Sequence, residues 1–256
     1  MADWNSAQYL KFATERTQPS FDLAARISSC NPAKAIDIGC GPGNSTAVLK
    51  QTFPHADILG VDSSENMIAA ARKDYPYLQW RVCDATRDLT AMAGEFDLVF
   101  SNACIQWVPD HPTLLKNMLG LLKKGGTLAV QIPMNFDEPI HQIIGKISTS
   151  AKWGSHFPNS RIFYTLTPSE YFDLLSEYAA EFSLWSTTYY HVMESYDDIL
   201  EWYRGTGLRP YLDALNEREK PDFIQDIREQ IKLRYPAQKN GKIIFRFPRF
   251  FFTARR

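Results

Sequence analysis

No run of the sequence approaches the roughly 18–20 apolar residues that a membrane-spanning helix needs. The most apolar tail stretch, 243–254, is interrupted by Arg246 and Arg249. The first five residues, Met1 to Asn5, have neither the basic start nor the apolar centre of a secretory signal. Cysteine is scarce: Cys30, Cys40, Cys83 and Cys104 stand apart in 256 residues with no C-x-x-C pair. That spacing offers neither a zinc site nor a disulfide framework, and fits small buried thiols in a reducing compartment. A cytoplasmic protein without metal is expected. An excess of one charge is also lacking, with 28 Lys plus Arg against 29 Asp plus Glu and a net charge of -1. A general nucleic-acid surface would need a basic excess, so nucleic acid is not an expected partner. Any anion site must be a local cluster.

Present instead is an ordinary globular composition, 45% hydrophobic, and an alternating pattern. Short apolar strands are predicted at 33–38, 57–61, 79–83, 96–101 and 127–132. Helices are predicted between them at 44–53, 65–73 and 112–122, the last ended by Lys123-Lys124-Gly125-Gly126. Residues 1–30 read as helix in two pieces split near Pro19, with Tyr9, Phe12 and Ala13 at helical spacing. Such alternation predicts an α/β fold, a Rossmann-like sheet with helices on both faces. After Pro133 the rhythm changes. Two strand candidates remain, 182–192 and 243–254, separated by helical segments near 138–152, 168–180, 197–216 and 219–234. The organisation expected is one domain over 1–256, with a core at 31–133 plus the C-terminal strands. Helical cap inserts are expected at about 134–180 and 194–242.

The strongest feature is Ala35-Ile36-Asp37-Ile38-Gly39-Cys40-Gly41-Pro42-Gly43-Asn44-Ser45, at the exit of the first strand and the entrance of a helix. Glycines there allow close backbone approach to a ligand and positive φ. A dinucleotide fingerprint would place a third glycine at Thr46 or at Asn44, so a nicotinamide cofactor is disfavoured. Asp37, two residues before Gly39, suits a ligand bearing an ammonium group. Asp62 ends the second strand, 19 residues beyond Gly43, where a carboxylate can accept from both ribose hydroxyls. Asp84 follows the third strand and can accept from an adenine amino group, while Met67 can pack on the purine face.

This pattern over 33–132 resembles the class I S-adenosylmethionine-dependent methyltransferases. The likeness implies a seven-stranded sheet whose last strand is antiparallel, with 243–254 as that strand, and S-adenosylmethionine as cofactor. Carried onto this sequence, the cofactor site comprises Asp37, Gly39, Gly41, Gly43, Asp62, Ser63, Met67, Asp84 and Ala85, with Asn102 at the end of strand four facing the transferable methyl. Arg16, with Tyr9, would close an N-terminal helix over the cofactor's carboxylate. The Asn/Asp-Pro-Pro-Tyr/Phe element of amine- and nucleobase-modifying relatives is missing from Ser101-Asn102-Ala103-Cys104-Ile105-Gln106-Trp107-Val108.

Further stretches resemble a branch of the family that esterifies a small tricarboxylic acid. They include Asp3-Trp4-Asn5, Gln106-Trp107, Thr187-Thr188-Tyr189-Tyr190-His191, Thr206-Gly207-Leu208-Arg209-Pro210 and Phe247-Pro248-Arg249. An acid of this kind is already ionised at neutral pH, so no general base is required. Its remaining carboxylates want arginines, which bind them bidentately. The substrate-binding candidates are Gln106, Trp107, Tyr190, His191, Arg209 and Arg249. Arg246, Arg204, Arg161, Tyr203 and His141 are further candidates. Arg209 is expected in a helix-breaking turn. Arg246 and Arg249, three apart on a strand, should face opposite ways unless Pro248 inserts a bulge. Open alternatives are another small or carrier-bound carboxylic acid, and a non-catalytic cofactor-binding module.

Overall fold

A computed structural model describes residues 12–158 and 163–256. Strands Lys34–Ile38 (β1), Asp57–Asp62 (β2), Gln79–Val82 (β3), Phe96–Asn102 (β4) and Leu122–Pro133 (β5) follow a helix, Ala13–Arg26 (α1). Helices Asn44–Thr52 (α2), Glu65–Asp74 (α3) and His111–Gly120 (α4) lie between them. With Glu181–Met193 (β6) and Ile243–Arg255 (β7), the strands form one seven-stranded sheet in the order β3-β2-β1-β4-β5-β7-β6. Neighbours among β1 to β5 are parallel. β7 is antiparallel to β5, with Thr127 opposite Arg255 and Pro133 opposite Arg249. The expected reversed last strand is therefore present. The order changes direction between β1 and β4, and a crevice at the strands' C-terminal ends follows from that switch.

Local chemistry explains the element ends. Ser64 caps α3 by accepting from the Met67 amide, and Asp110 caps α4 by accepting from Thr113. Aromatic pairs pack on the sheet, among them half-buried Trp185 stacked on buried Phe251 at 5.2 Å and Tyr171 on Phe250, both buried, at 5.6 Å. Each fully buried ring among them contributes roughly 1.5–3 kcal/mol.

The described residues divide into two compact units, one of 12–133, 163–187 and 249–256, the other of 134–158 and 188–248. The second unit starts where the sequence places the cap. Helix Pro168–Tyr178 (α6), drawn into the cap by sequence reasoning, belongs to the first unit, where its Tyr171 hydroxyl lies 2.7 Å from His111. The second unit carries Pro139–Ser148 (α5), Tyr196–Arg204 (α7), Arg209–Ala214 (α8) and Lys220–Arg234 (α9). Its core is aromatic, with Trp153 edge-on to Phe223 at 5.2 Å and Trp202 against Phe247 at 5.5 Å.

Several local expectations need correction. α1 runs through Pro19 without a break. The missing proline N–H costs one helical bond, and nearby the Ser20 hydroxyl donates to the Thr17 carbonyl at 2.7 Å. Lys123-Lys124-Gly125-Gly126 does not end a helix. α4 stops at Gly120, and the four residues lie in an irregular start to β5, where Gly125 has φ +81 and its amide bonds to Arg256. The single helix expected over 197–216 is two helices, α7 and α8, parted by a turn at Gly205 to Leu208. Tyr9 and Arg161 lie outside the described residues.

Candidate active site

Within the first unit, a cavity of 660 Å³ opens at the C-terminal ends of β1, β2, β3 and β4, a size suited to a small-molecule ligand. Its floor is the glycine loop after β1. The Gly39 and Cys40 amides both donate to the Val61 carbonyl, at 2.8 and 3.0 Å, which ties the loop to β2. Gly39 has φ +75, and a Cβ there would stand 2.1 Å from the Cys104 Sγ, so the two chain segments can approach only through a glycine. Gly41 has φ +53 and nothing within 4 Å of where its Cβ would be, leaving open space beside the cavity wall it forms.

Asp62, at the end of β2, holds this loop. Its Oδ2 accepts from the Gly41 amide at 3.0 Å and its Oδ1 from the Ser64 amide at 2.9 Å. Each carboxylate oxygen retains a lone pair after those bonds. Burial raises the Asp62 pKa, against the lowering effect of the amides of Ser64, Gly41 and Ser63. Ser63 and Met67 line the same wall. Asp84 and Ala85 line the cavity beyond β3, and Asp84 Oδ1 accepts from both the amide and the hydroxyl of Thr86, at 2.9 and 2.7 Å. Those bonds lower its pKa, so it is a charged acceptor at neutral pH. Arg16 on α1, Asn102 at the tip of β4 and Trp107 complete the set of anticipated residues that reach the cavity.

Two anticipated residues stand elsewhere. Asp37 does not line the cavity. It is fully buried behind the loop, where its Oδ2 accepts from the hydroxyls of Ser45 and Thr46, each at 2.6 Å. Burial outweighs those bonds and pushes its pKa up to about 6. Asp37 Oδ2 thus holds the first turn of α2, while its Oδ1 is buried without a hydrogen-bond partner among the described residues. Gly43 also points away: it precedes α2 with φ +100, and a Cβ would lie 2.7 Å from the Tyr75 ring and 2.8 Å from Trp80.

The β4 end carries strain. Ala103 adopts φ 53, a left-handed conformation costing a non-glycine residue roughly 1–2 kcal/mol. Its amide donates to the Gln131 carbonyl at 2.9 Å, and its carbonyl accepts from Gln106 Nε2 at 2.8 Å. Gln106, expected on the substrate, is buried and shapes this turn without lining the cavity. His111 braces the next turn. Its Nε2 donates to the Ile105 carbonyl at 2.9 Å, so Nδ1 accepts from the Tyr171 hydroxyl at 2.7 Å. Burial lowers the His111 pKa and keeps the ring neutral. Sequence reasoning missed His111 and Tyr171, which are 60 residues apart with no motif between them.

Arg249 is buried on β7, and its Nη1 donates to Gln131 Oε1 at 3.1 Å. Arg246 is more than half exposed and lies 3.6 Å from Glu138. Tyr190, His191 and Arg209 belong to the second unit. Tyr190 is 65% exposed, whereas His191 is packed against Trp202 at 4.7 Å. Arg209 is the first residue of α8 and not part of the turn before it, with its Nε 3.5 Å from Asp213. In the same unit, Tyr203 receives a bond from Asn135 Nδ2 at 3.0 Å and lies 3.0 Å from His141 Nε2. Arg204 pairs with Glu201 at 2.7 Å.

A family model described as a methyltransferase domain matches residues 36–130, the stretch that builds the cavity floor. A trans-aconitate 2-methyltransferase of Azoarcus sp. (strain BH72) is 44% identical over 255 residues, covering 99% of each chain. One of Methylobacterium radiotolerans is 41% identical over 260 residues, covering 100% of this chain and 99% of its own. The chain belongs to the trans-aconitate 2-methyltransferase family. It is thereby an S-adenosylmethionine-dependent methyltransferase, and the cavity fits that cofactor, with open space at Gly41, a charged acceptor at Asp84 and lone pairs left on Asp62. Among solved structures, the YcgJ protein of Bacillus subtilis shares the fold with a TM-score of 0.62 at 15% identity, over 93% of this chain and 98% of that one. Among the described residues, no helix is long and apolar enough to cross a membrane, and no cluster of His, Cys, Asp and Glu could hold a metal ion.

Proposed function

We propose that the protein esterifies one carboxylate of trans-aconitate, a small tricarboxylate, giving the monomethyl ester and S-adenosylhomocysteine. The observation that carries this reading is likeness at 41–44% identity along the whole chain to trans-aconitate 2-methyltransferases, the helical second unit included. When bound, S-adenosylmethionine supplies a methyl group on a sulfonium, an electrophile that a carboxylate oxygen can attack directly. The acid is already ionised at neutral pH, so the protein needs no catalytic base. Its work is to bind, orient and dehydrate.

We assign Asp62 and Ser63 to the ribose, Asp84, Ala85 and Met67 to the adenine, Arg16 to the cofactor's carboxylate, and the Gly39 and Gly41 backbone with Asn102 to its remaining atoms. Asp37 and Gly43 serve that site from behind, by fixing the loop and the start of α2. Trp107 forms a cavity wall that excludes water, and Gln106 sets the turn carrying it. Arg249 and Arg209, with Tyr190 and His191, are assigned to the acid's other carboxylates. The whole chain is taken as one functional domain with helical inserts, working in the cytoplasm, where its four free cysteines would stay reduced.

The decisive experiment is a methyl-transfer assay with S-adenosylmethionine and a panel of di- and tricarboxylates, read by mass spectrometry. A gain of one methylene on trans-aconitate, with none on cis-aconitate or citrate at matched concentration, is expected. Binding of S-adenosylhomocysteine without a gain on any acid would sink the acceptor assignment and leave the cofactor site standing.

A further inference from the structure

Gln131 is out of place in β5. Ala129, Val130, Gln131 and Ile132 are all fully buried, and a primary amide in such a run is costly unless its polar atoms are bonded. Its Oε1 accepts from Arg249, but its Nε2 has no hydrogen-bond partner among the described residues. The amide cannot be turned to relieve this. A guanidinium only donates, so the atom facing Arg249 must be the oxygen, and the atom left over must be the NH2.

Register shows what surrounds that donor. Asn102 is the partner of Gln131 on β4, and Arg249 lies two places along β7 from its partner Phe251. Partners across a sheet, and residues two apart on a strand, share a face. Asn102, Gln131 and Arg249 therefore form a polar row on one face at the C-terminal ends of β4 and β5. Asn102 borders the cavity, and its Oδ1 is also buried without a partner. The Gln131 carbonyl also holds the strained Ala103 amide at 2.9 Å. One residue thus touches both the turn beside the cavity and the guanidinium.

We propose that Gln131 determines recognition of the acid substrate: its Oε1 orients the Arg249 guanidinium, and its Nε2 donates to the carboxylate that Arg249 binds. This rests on the reading of Arg249 as a carboxylate anchor. A carboxylate is the acceptor that suits both donors, a guanidinium fork and an amide side by side.

The test uses the full-length enzyme and the variants Gln131→Leu, Gln131→Glu and Arg249→Gln. KM and kcat for trans-aconitate, calorimetric affinity for S-adenosylhomocysteine and thermal midpoint are measured for each. Gln131→Leu should raise KM roughly tenfold, the worth of a hydrogen bond to a charged group. Gln131→Glu places an anion against Arg249 and opposite the substrate, and should raise KM about 100-fold or more. Both should leave affinity for S-adenosylhomocysteine within about twofold, since Gln131 is not among the residues assigned to the cofactor. Should Arg249→Gln raise KM while both folded Gln131 variants keep the wild-type value, the assignment of Gln131 fails alone. A wild-type KM in Arg249→Gln removes the anchor reading and this inference with it. Parallel loss of KM, kcat and cofactor affinity in the Gln131 variants would mean a purely structural role and would overturn the proposal.

Discussion

The loops after β1, β2 and β3 and the helical second unit both contain costly polar side chains, and they satisfy them at different range. In the loops the partners are near in sequence. Asp84 is held by Thr86 two residues on, Asp62 by Ser64 two on and by Gly41 21 back, and Asp37 by Ser45 and Thr46 eight and nine on. In the second unit they are distant. Asn135 meets Tyr203 across 68 residues, and Tyr203 meets His141 across 62. A ligand site made from short-range bonds is fixed once each strand-loop-helix unit forms. A site made from long-range bonds exists only when the whole unit has packed.

The largest break in this comparison should come from Asp62→Ala. It strips the acceptor from two loop amides as well as the proposed ribose contact, and each unsatisfied group costs about 1–3 kcal/mol. Affinity for S-adenosylhomocysteine should fall by about 100-fold or more by calorimetry. A variant that binds like the parent would show that Asp62 lies outside the cofactor's reach. Arg209→Ala probes the other region and should act less strongly. Its ion pair with Asp213 is partly exposed, so little stability depends on it. KM for trans-aconitate should rise roughly tenfold, the worth of one charged hydrogen bond, with cofactor affinity unchanged. If cofactor affinity drops equally, Arg209 supports folding and not the acid.

The same difference in range explains what the sequence discloses. The strand pattern and the glycine loop are periodic or local signals, the reversed last strand is what the family resemblance implies, and the cavity gathers Gly39, Gly41, Asp62, Ser63, Met67, Asp84 and Ala85 as anticipated. Gln131 gave no such signal, because its partner Arg249 is 118 residues away and only the β5–β7 register brings them together. The His111–Tyr171 pair was invisible for the same reason. α1 passes through Pro19 because tertiary packing of an otherwise regular helix overrides one missing bond. Asp37 stands on β1 as expected, and its depth could not be read: nothing local in the sequence shows that its Oδ2 holds the hydroxyls of Ser45 and Thr46 in the first turn of α2.

Asp37 therefore supplies the finest test, where a small effect on binding is expected beside a clear effect of pH. Its pKa rises from 3.8 to about 6 in the folded protein because burial opposes ionisation. Between those values the folded chain holds a proton that the unfolded chain has released. The contribution of this group to stability therefore declines as pH rises through the window, and the loss is complete above about 6. The full loss is of order 3 kcal/mol, and each kcal/mol corresponds to about 2–4 °C in Tm for a chain approaching this size. Asp37→Asn cannot ionise and keeps an oxygen for the Ser45 and Thr46 hydroxyls. Its Tm relative to the parent should climb from pH 4 to pH 7, so that the variant is at least as stable at neutral pH. Its affinity for S-adenosylhomocysteine should stay within about threefold, because the side chain stands behind the loop and loses no ligand contact. A loss of tenfold or more at pH 7 would instead mean that the ligand's ammonium reaches Asp37 Oδ1, the buried oxygen left without a partner among the described residues. The site would then include a buried ion pair, and cofactor binding below pH 6 would release a proton from Asp37 that the variant could not supply.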